Sequence, residues 1–252
     1  MTDYTLDILV QGYPGKSVCH GGLGWSTIAL LRGGGRVALV DVGTFSHRAN
    51  LIAALDRHGL APADVTDVIL THSHHDHSIN WVLFPAATVW IGATELDWAV
   101  AEPWGSTPVP ELYVRELHRS AQLRTLRHGD EVLLGMRAYD APGHTPGHLI
   151  FLLSGADRDI LFTGDAAKNR VELITGRTDM TYDAAISKSS IDRMWEFWRA
   201  RTGTLLVPGH DLPMVLEDGK PVYAGERQAA ITAWFGDDLE STTYISLTVS
   251  GR

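Results

Sequence analysis

Six consecutive residues, His72-Ser73-His74-His75-Asp76-His77, set four imidazoles and a carboxylate directly behind the apolar run Val68-Ile69-Leu70. Imidazole nitrogen and carboxylate oxygen are the donors that zinc and related divalent ions take in catalytic sites. The chain has one cysteine, Cys19, which excludes thiolate-based structural zinc and iron–sulfur clusters, so a metal bound here is read as catalytic. On an extended segment alternate side chains share a face, which groups His72, His74 and Asp76 and turns Ser73 and His75 away. His77 breaks that alternation. To join the others it needs a sharp turn near Asp76, with Asp76 and His77 opening a helix that residues 78–84 could continue. Two neighbouring metal positions then follow, one at His72 and His74 and one at Asp76 and His77, each short of ligands from elsewhere.

Other segments offer those ligands in similar surroundings. Residues 141–148, Ala-Pro-Gly-His-Thr-Pro-Gly-His, form a proline- and glycine-punctuated turn that can present His144 at its tip. The apolar run Ile160-Leu161-Phe162 leads through Thr163 and Gly164 to Asp165, where a carboxylate could sit between two cations. Leu205-Leu206-Val207-Pro208-Gly209 leads likewise to His210, and the strand-like run from Val37 to Val40 ends in Asp41.

This ordered set resembles the metallo-beta-lactamase superfamily, whose pattern is H-x-H-x-D-H followed by His, Asp and His on later loops, and the resemblance spans most of the chain. It implies one metal held by His72, His74 and His144, a second by Asp76, His77 and His210, and Asp165 bridging both. Asp41 matches the family's aspartate behind the ligands, which accepts a hydrogen bond from a metal-holding histidine. The cofactors implied are two divalent ions, zinc first, with iron or manganese as alternatives. The fold implied is α/β, the αβ/βα four-layer sandwich of the metallo-beta-lactamase type. The activity implied is hydrolysis of a small-molecule ester, lactone, thioester or amide, in which a hydroxide shared by two metals attacks the carbonyl. Asp76 and Asp165 would orient that hydroxide, and Asp76 would carry a proton to the leaving group. His77, soon followed by Asn80 and Leu83-Phe84-Pro85, also resembles metallo-beta-lactamase-domain hydrolases.

Lys168 lies three residues after Asp165, where some metallo-beta-lactamases use a lysine to hold a substrate carboxylate and acyl-homoserine lactonases carry a tyrosine. The expected substrate is therefore a small molecule, with an anionic one favoured; the bland alternative is a solvated surface lysine. His75 is expected at the surface or behind the ligands, and His148 either supports the site or sits at a strand start without a ligand role. Gly21-Gly22-Leu23-Gly24-Trp25 could lay an aromatic over the site, although a buried Trp25 at a strand start is the ordinary alternative. Residues 98–110, with three prolines and Trp104, could form a lid, a subsite wall or an oligomer contact.

Two other chemistries use the same frame. A mononuclear iron persulfide dioxygenase-like oxidoreductase needs only one metal, whereas a full second ligand set including His210 favours two. A phosphodiesterase or nuclease ranks below both, because 21 Lys and Arg against 30 Asp and Glu give a net charge of −9 without a basic run to grip phosphates. No nucleic-acid partner is expected, and homo-oligomerisation stays open.

The elements that must position these residues follow from periodicity. Strands are expected at 5–10, 26–31, 36–41, 67–71, 88–91, 122–126, 132–138, 149–153, 160–163 and 204–207, and helices at 47–58, 95–101, 184–201 and 225–235. Strands in runs with helices between and after them suggest sheets covered by helices. The 252 residues show no linker, repeat or composition shift, so a single metallo-beta-lactamase-like domain over 1–252 is expected. No apolar run reaches the length of a membrane span and no basic-then-apolar start is present, which points to no membrane partner and a cytoplasmic setting.

Overall fold

Alternation of apolar side chains along two sets of strands decides the architecture. The computed structural model describes residues 4–19 and 21–248. In chain order, β1 (Thr5–Val10), a short hairpin of β2 (Lys16–Ser17) and β3 (Gly21–Gly22), β4 (Ile28–Gly33) and β5 (Arg36–Val40) lead to α1 (Arg48–Arg57). Then come β6 (Asp67–Ile69), α2 (His75–Ser78), β7 (Thr88–Gly92), α3 (Ala93–Ala101), α4 (Glu111–Arg119) and β8 (Leu123–Leu126). The second half runs β9 (Glu131–Leu133), β10 (Met136–Asp140), β11 (Leu149–Leu153), β12 (Ile160–Gly164), α5 (Arg170–Thr175), α6 (Ala184–Ala200), β13 (Leu205–Pro208), β14 (Met214–Glu217), β15 (Lys220–Tyr223), β16 (Ala230–Ala233) and β17 (Thr243–Ser246).

One sheet has the order β1-β4-β5-β6-β7-β8, the other β15-β14-β13-β12-β11-β10-β9. Successive residues face opposite sides. Leu30 and Leu39 face an outer cluster with Leu51 and Leu55 of α1, Leu96 of α3 and Leu117 of α4. Their neighbours Ala29, Leu31, Ala38 and Val40 instead meet Phe151, Phe162 and Val207 between the sheets. Ile150, Leu161 and Leu206 face a third cluster with Leu173 of α5 and Ile191, Met194 and Trp198 of α6. The order of layers is helix, sheet, sheet, helix: the αβ/βα sandwich expected from the sequence.

Two expectations need correction. The run at 132–138 is not one strand: it breaks at Gly135, whose φ of 83° is open to glycine at little cost, and becomes the β9–β10 hairpin. Residues 225–235 do not form a helix. Ile231 and Thr232 instead join β16, which pairs antiparallel with β17, so β-branched residues and cross-strand pairing override the alanines there. Periodicity also missed α4, whose start follows a proline-rich stretch, and α5, only 6 residues long and capped by the Asn169 side chain accepting from Val171 and Glu172 N–H. No helix among the described residues is long and apolar enough to cross a membrane.

Phe151 and Phe162 are direct cross-strand partners at the centre of the inter-sheet layer, both essentially inaccessible. Phe151→Ala is expected to lower unfolding free energy by about 3–5 kcal/mol, since a buried ring leaves a cavity that the sheets cannot close. Urea titration measures it; a loss under about 1 kcal/mol would show that the two sheets are not packed through this pair.

Candidate metal centre and the cavity above it

The residues singled out in the sequence leave the ends of neighbouring strands. β6 and β12 stop at Ile69 and Gly164, so Thr71-His72 and Asp165 emerge side by side, with His210 two residues beyond the end of β13. The turn that brings His77 round starts one residue earlier than expected. His74 keeps extended backbone, α2 begins at His75, and the His77 and Ser78 N–H groups return to the His74 carbonyl. Ser73 consequently points into the protein, and His75 lies exposed on the cavity rim. Gly164 makes the turn into Asp165 with φ 47°, and a side chain on Gly209 would strike the Asp165 carboxylate. Both positions need glycine.

All seven candidate ligands converge. His72, His74 and His144 form one group, Asp76, His77 and His210 another, and His72, His77 and Asp165 a third; within each group the donor atoms lie within 4.8 Å of one another. Asp165 spans them. Its Oδ1 is 3.1 Å from His77 Nε2 and 3.2 Å from His210 Nε2, while its Oδ2 is 3.4 Å from His144 Nε2. Asp76 Oδ2 lies 3.2 Å from His210 Nε2, and His74 Nδ1 lies 2.9 Å from His144 Nε2.

The donor atoms fit a metal. Thr71 gives its hydroxyl proton to Asp41, so its oxygen can only accept from His72 Nδ1, 3.1 Å away, which leaves His72 Nε2 bare, buried and without a partner. Asp165 Oδ1 is likewise buried without a well-angled hydrogen bond. Orphaned lone pairs of this kind cost stability unless a cation takes them.

Burial drives His72 and His144 well below the usual imidazole range and His74 down to about 4, so all three are neutral donors at pH 7. The other pair behaves oppositely. Burial opposes protonation of His77 and His210 as well, but Asp165 and Asp76 outweigh it, raising His77 well above its ordinary value and His210 to about 9. Burial would raise Asp76, yet His77 and His210 hold it well below the carboxylate range. Without a cation, then, the second group is closed by protons.

Four supports hold the ligands in place. Asp41, with the strained φ of 55°, accepts from Thr71 N–H and Oγ1, both 2.9 Å, and from His77 Nδ1 at 2.8 Å. The last bond turns His77 Nε2 toward the centre. His148, left open by the sequence, is a backbone clamp: its Nε2 accepts from Asp165 N–H at 3.0 Å and Ala166 N–H at 3.2 Å, and burial lowers it to about 3, keeping that lone pair free. Buried Asp211 accepts from Leu212 and Arg170 N–H, from Arg227 and from Tyr223 OH, fixing the loop just after His210. Glu95 is the fourth, and sequence reasoning passed it over as an ordinary residue near a helix start. It is fully buried, with Oε1 accepting from Ser73 N–H and Oγ and Oε2 from Thr145 Oγ1 and Gly147 N–H, so α3 ties the 72–77 segment to the 141–148 loop. Only its burial could have marked it, and burial is not written in the sequence.

Above the ligands opens a cavity of about 860 Å³. Its floor is His74, Asp76, His144, Asp165 and His210; its walls include Pro14 to Lys16, Trp98, Ser106 to Pro108 and Met180 to Tyr182. Lys168 lines it too, but its ammonium faces a protein carboxylate, Glu172 Oε1, at 3.2 Å. Trp25 does not line the cavity, nor is it buried at a strand start: half-buried three residues before β4, it stacks on Tyr13 at 4.8 Å and donates to the Gln11 carbonyl. Within residues 98–110, Trp98 and 106–108 form wall, whereas Trp104 is exposed beneath Arg115.

A sandwich of this layering with His and Asp donors at its strand-end edge defines a metal-binding αβ/βα protein. The family model of the metallo-beta-lactamase superfamily matches residues 21–210, and the chain belongs to that superfamily. It is 32% identical over 135 residues to a hydroxyacylglutathione hydrolase of Fuscovulum blasticum, covering 52% of this chain and 43% of that one. It is 26% identical over 164 residues to an N-acyl homoserine lactonase of Bacillus thuringiensis, covering 64% and 62%. Both alignments span less than two thirds of the relative. Among solved structures, a metallo-beta-lactamase-like protein of Thermotoga maritima superposes with a TM-score of 0.65 at 27% identity, over 85% of this chain and all of that one.

Two outcomes are expected. Glu95→Ala leaves two buried N–H groups and two hydroxyls without acceptors, each worth ~1 kcal/mol or more, so a stability loss of at least ~3 kcal/mol is expected in urea; a smaller loss would mean the two loops are held otherwise. For metal binding, the sign follows from the raised His77 and His210. Their protons stabilise the metal-free fold below pH about 6.5, a contribution lost as pH rises through about 9 for His210, and a cation must displace them. Metal affinity should therefore climb from pH 6 to 9 with proton release, measured by titration calorimetry in buffers of different ionisation enthalpy. A pH-independent affinity would refute it.

Proposed function

We propose that the protein is a dinuclear metallohydrolase that cleaves an ester, lactone, thioester or amide bond in a small molecule. The observation that carries this is Asp165, with one carboxylate oxygen toward His77 and His210 and the other toward His144, as a ligand shared by two ions would be placed. His72, His74 and His144 would hold one ion and Asp76, His77 and His210 the other, with zinc favoured by an all-nitrogen and oxygen donor set. Such ions supply an acidified water as nucleophile and polarise the scissile carbonyl.

The chain's own residues do the rest. Asp76 lies on the cavity floor, partly open, with Oδ2 against His210, placed to take a proton and pass it to the leaving group. Asp41, Glu95 and His148 keep the donors aimed without touching substrate. The apolar faces of Trp98 and Tyr182, in edge contact at 6.2 Å, offer a surface for an acyl or ring group. Names of the relatives point to acylglutathione and acyl homoserine lactone compounds as first substrates to try. Because Glu172 offsets Lys168, an anionic substrate would have to compete with that pair, and neutral lactones and esters belong in the same screen. A full second donor group also favours hydrolysis over one-iron oxygen chemistry.

Elemental analysis of protein purified without added metal is expected to give two zinc ions per chain; a single iron would replace the hydrolase with the dioxygenase. Asp76→Asn is expected to lose ~100-fold or more in kcat on whichever lactone or thioester is turned over, with metal content measured alongside to separate proton transfer from lost binding. Full turnover with both metals retained would remove Asp76 from proton transfer.

A further inference from the structure

The family match ends at His210, yet much of what holds His210 from behind comes from the chain beyond it. Asp211, 1% exposed, takes Leu212 N–H at 2.9 Å and the Arg227 guanidinium on Oδ1, and Arg170 N–H at 2.9 Å and Tyr223 OH at 3.1 Å on Oδ2. Arg227 supplies the cation of that set. Its side chain is largely buried, and its guanidinium carbon lies 5.5 Å from the Tyr13 ring centre and 5.8 Å from that of Tyr223. The residues on either side of it are pinned to one side chain: Gln11 Nε2 donates to the Glu226 carbonyl at 3.2 Å, and Gln11 Oε1 accepts from Gln228 N–H at 3.1 Å. The same 11–13 segment lies directly on the His210 turn, because a side chain on Gly12 would strike the Gly209 carbonyl and the Asp211 nitrogen. A continuous path therefore runs from Gln11 through Arg227 and Asp211 to His210.

We propose that Arg227 is a positioning residue for one ion of the pair: by holding Asp211 it fixes the turn that aims His210 at Asp76 and Asp165. It would thereby govern the ion at Asp76, His77 and His210 and leave the one at His72, His74 and His144 alone. The proposal rests on the dinuclear reading above and is independent of which bond is cleaved. The distribution of supports singles out His210. Asp41 and Glu95 grip the 71–77 segment, Glu95 grips the 141–148 loop as well, and among the described residues no hydrogen bond runs from residues 211–228 to either. His210 is held instead through its backbone, by its N–H on the Lys168 carbonyl at 2.8 Å and by its neighbour Asp211. Arg170 N–H on the same carboxylate closes the loop that carries Lys168 onto that anchor. A carboxylate this deep is costly without its cation, so removing Arg227 would turn Asp211 outward and carry His210 with it. Groups that orient a metal ligand from behind change affinity by ~10–100-fold when lost.

Zinc stoichiometry and stepwise affinity of the full chain, measured by competition with a chromophoric chelator, test it. Arg227→Met is expected to weaken one of two ions by ~10–100-fold and leave the other unchanged. That pattern should match His210→Ala and differ from His144→Ala. Arg227→Lys, which keeps a cation against Asp211, should recover part of the loss. If Arg227→Met does not fold, Tyr223→Phe removes one donor from the Asp211 carboxylate while sparing its cation, and a smaller loss at the same ion is expected. Equal weakening of both ions overturns the proposal, as does a lower urea midpoint with both affinities unchanged, which would make the Asp211–Arg227 pair structural only. Wild-type protein that holds a single ion overturns the dinuclear reading and the proposal with it, whereas two ions bound by wild type and by a folded Arg227→Met at equal affinity overturn the proposal alone.

Discussion

Seven donor groups cannot be gathered within a few ångströms unless something opposes their mutual repulsion and the cost of hiding their lone pairs from water. The structure meets this by tying each ligand-bearing segment to a buried acceptor that faces away from the centre. Asp41 takes Thr71 and His77, Glu95 takes Ser73, Thr145 and Gly147, His148 takes Asp165 and Ala166, and Asp211 takes the turn after His210. The candidate ligands are therefore fixed from behind, through backbone N–H and hydroxyl groups, with their donor atoms turned toward one another. That pre-organisation would let a cation bind without the chain having to rearrange.

The two sheets contribute unequally. Parallel pairing of β5 with β6 and of β12 with β13 places strand ends next to each other, so Asp41 faces Thr71 and Asp165 faces Gly209. Leu149 N–H on the Thr71 carbonyl then stitches the two sheets together beside the ligands. Phe151 and Phe162 fill the layer behind that seam.

Much of this was legible in the sequence because the chemistry is concentrated in short, ordered motifs. The spacing of His72, His74, Asp76 and His77 carried both ligand type and the need for a turn, and the glycines before Asp165 and His210 marked tight strand ends. Alternation of apolar residues gave most strands within a residue or two. What was not legible depends on partners far along the chain. Glu95 looks like any helix glutamate until Ser73 and Thr145 surround it, and the role of His148 exists only because Asp165 N–H lies beside its ring. Residues 225–235 had the composition of a helix, but pairing with a strand ten residues on decided otherwise. Spacing alone leaves Lys168 open between a substrate anion and solvent, and only the fold shows its ammonium against Glu172, one helical turn on.

The floor and the walls of the cavity come from different kinds of structure. The floor is drawn from strand ends whose register is locked by both sheets, whereas much of the wall comes from residues 14–16, 106–108 and 179–182, none of which is among the seven donor candidates. Wall segments can lengthen, shorten or change composition at little cost in folding free energy. The chain is thus divided into a chemistry module fixed by sheet register and an adjustable selectivity module. Descendants of this sequence could acquire new substrates by loop exchange while inheriting the same reactive centre intact.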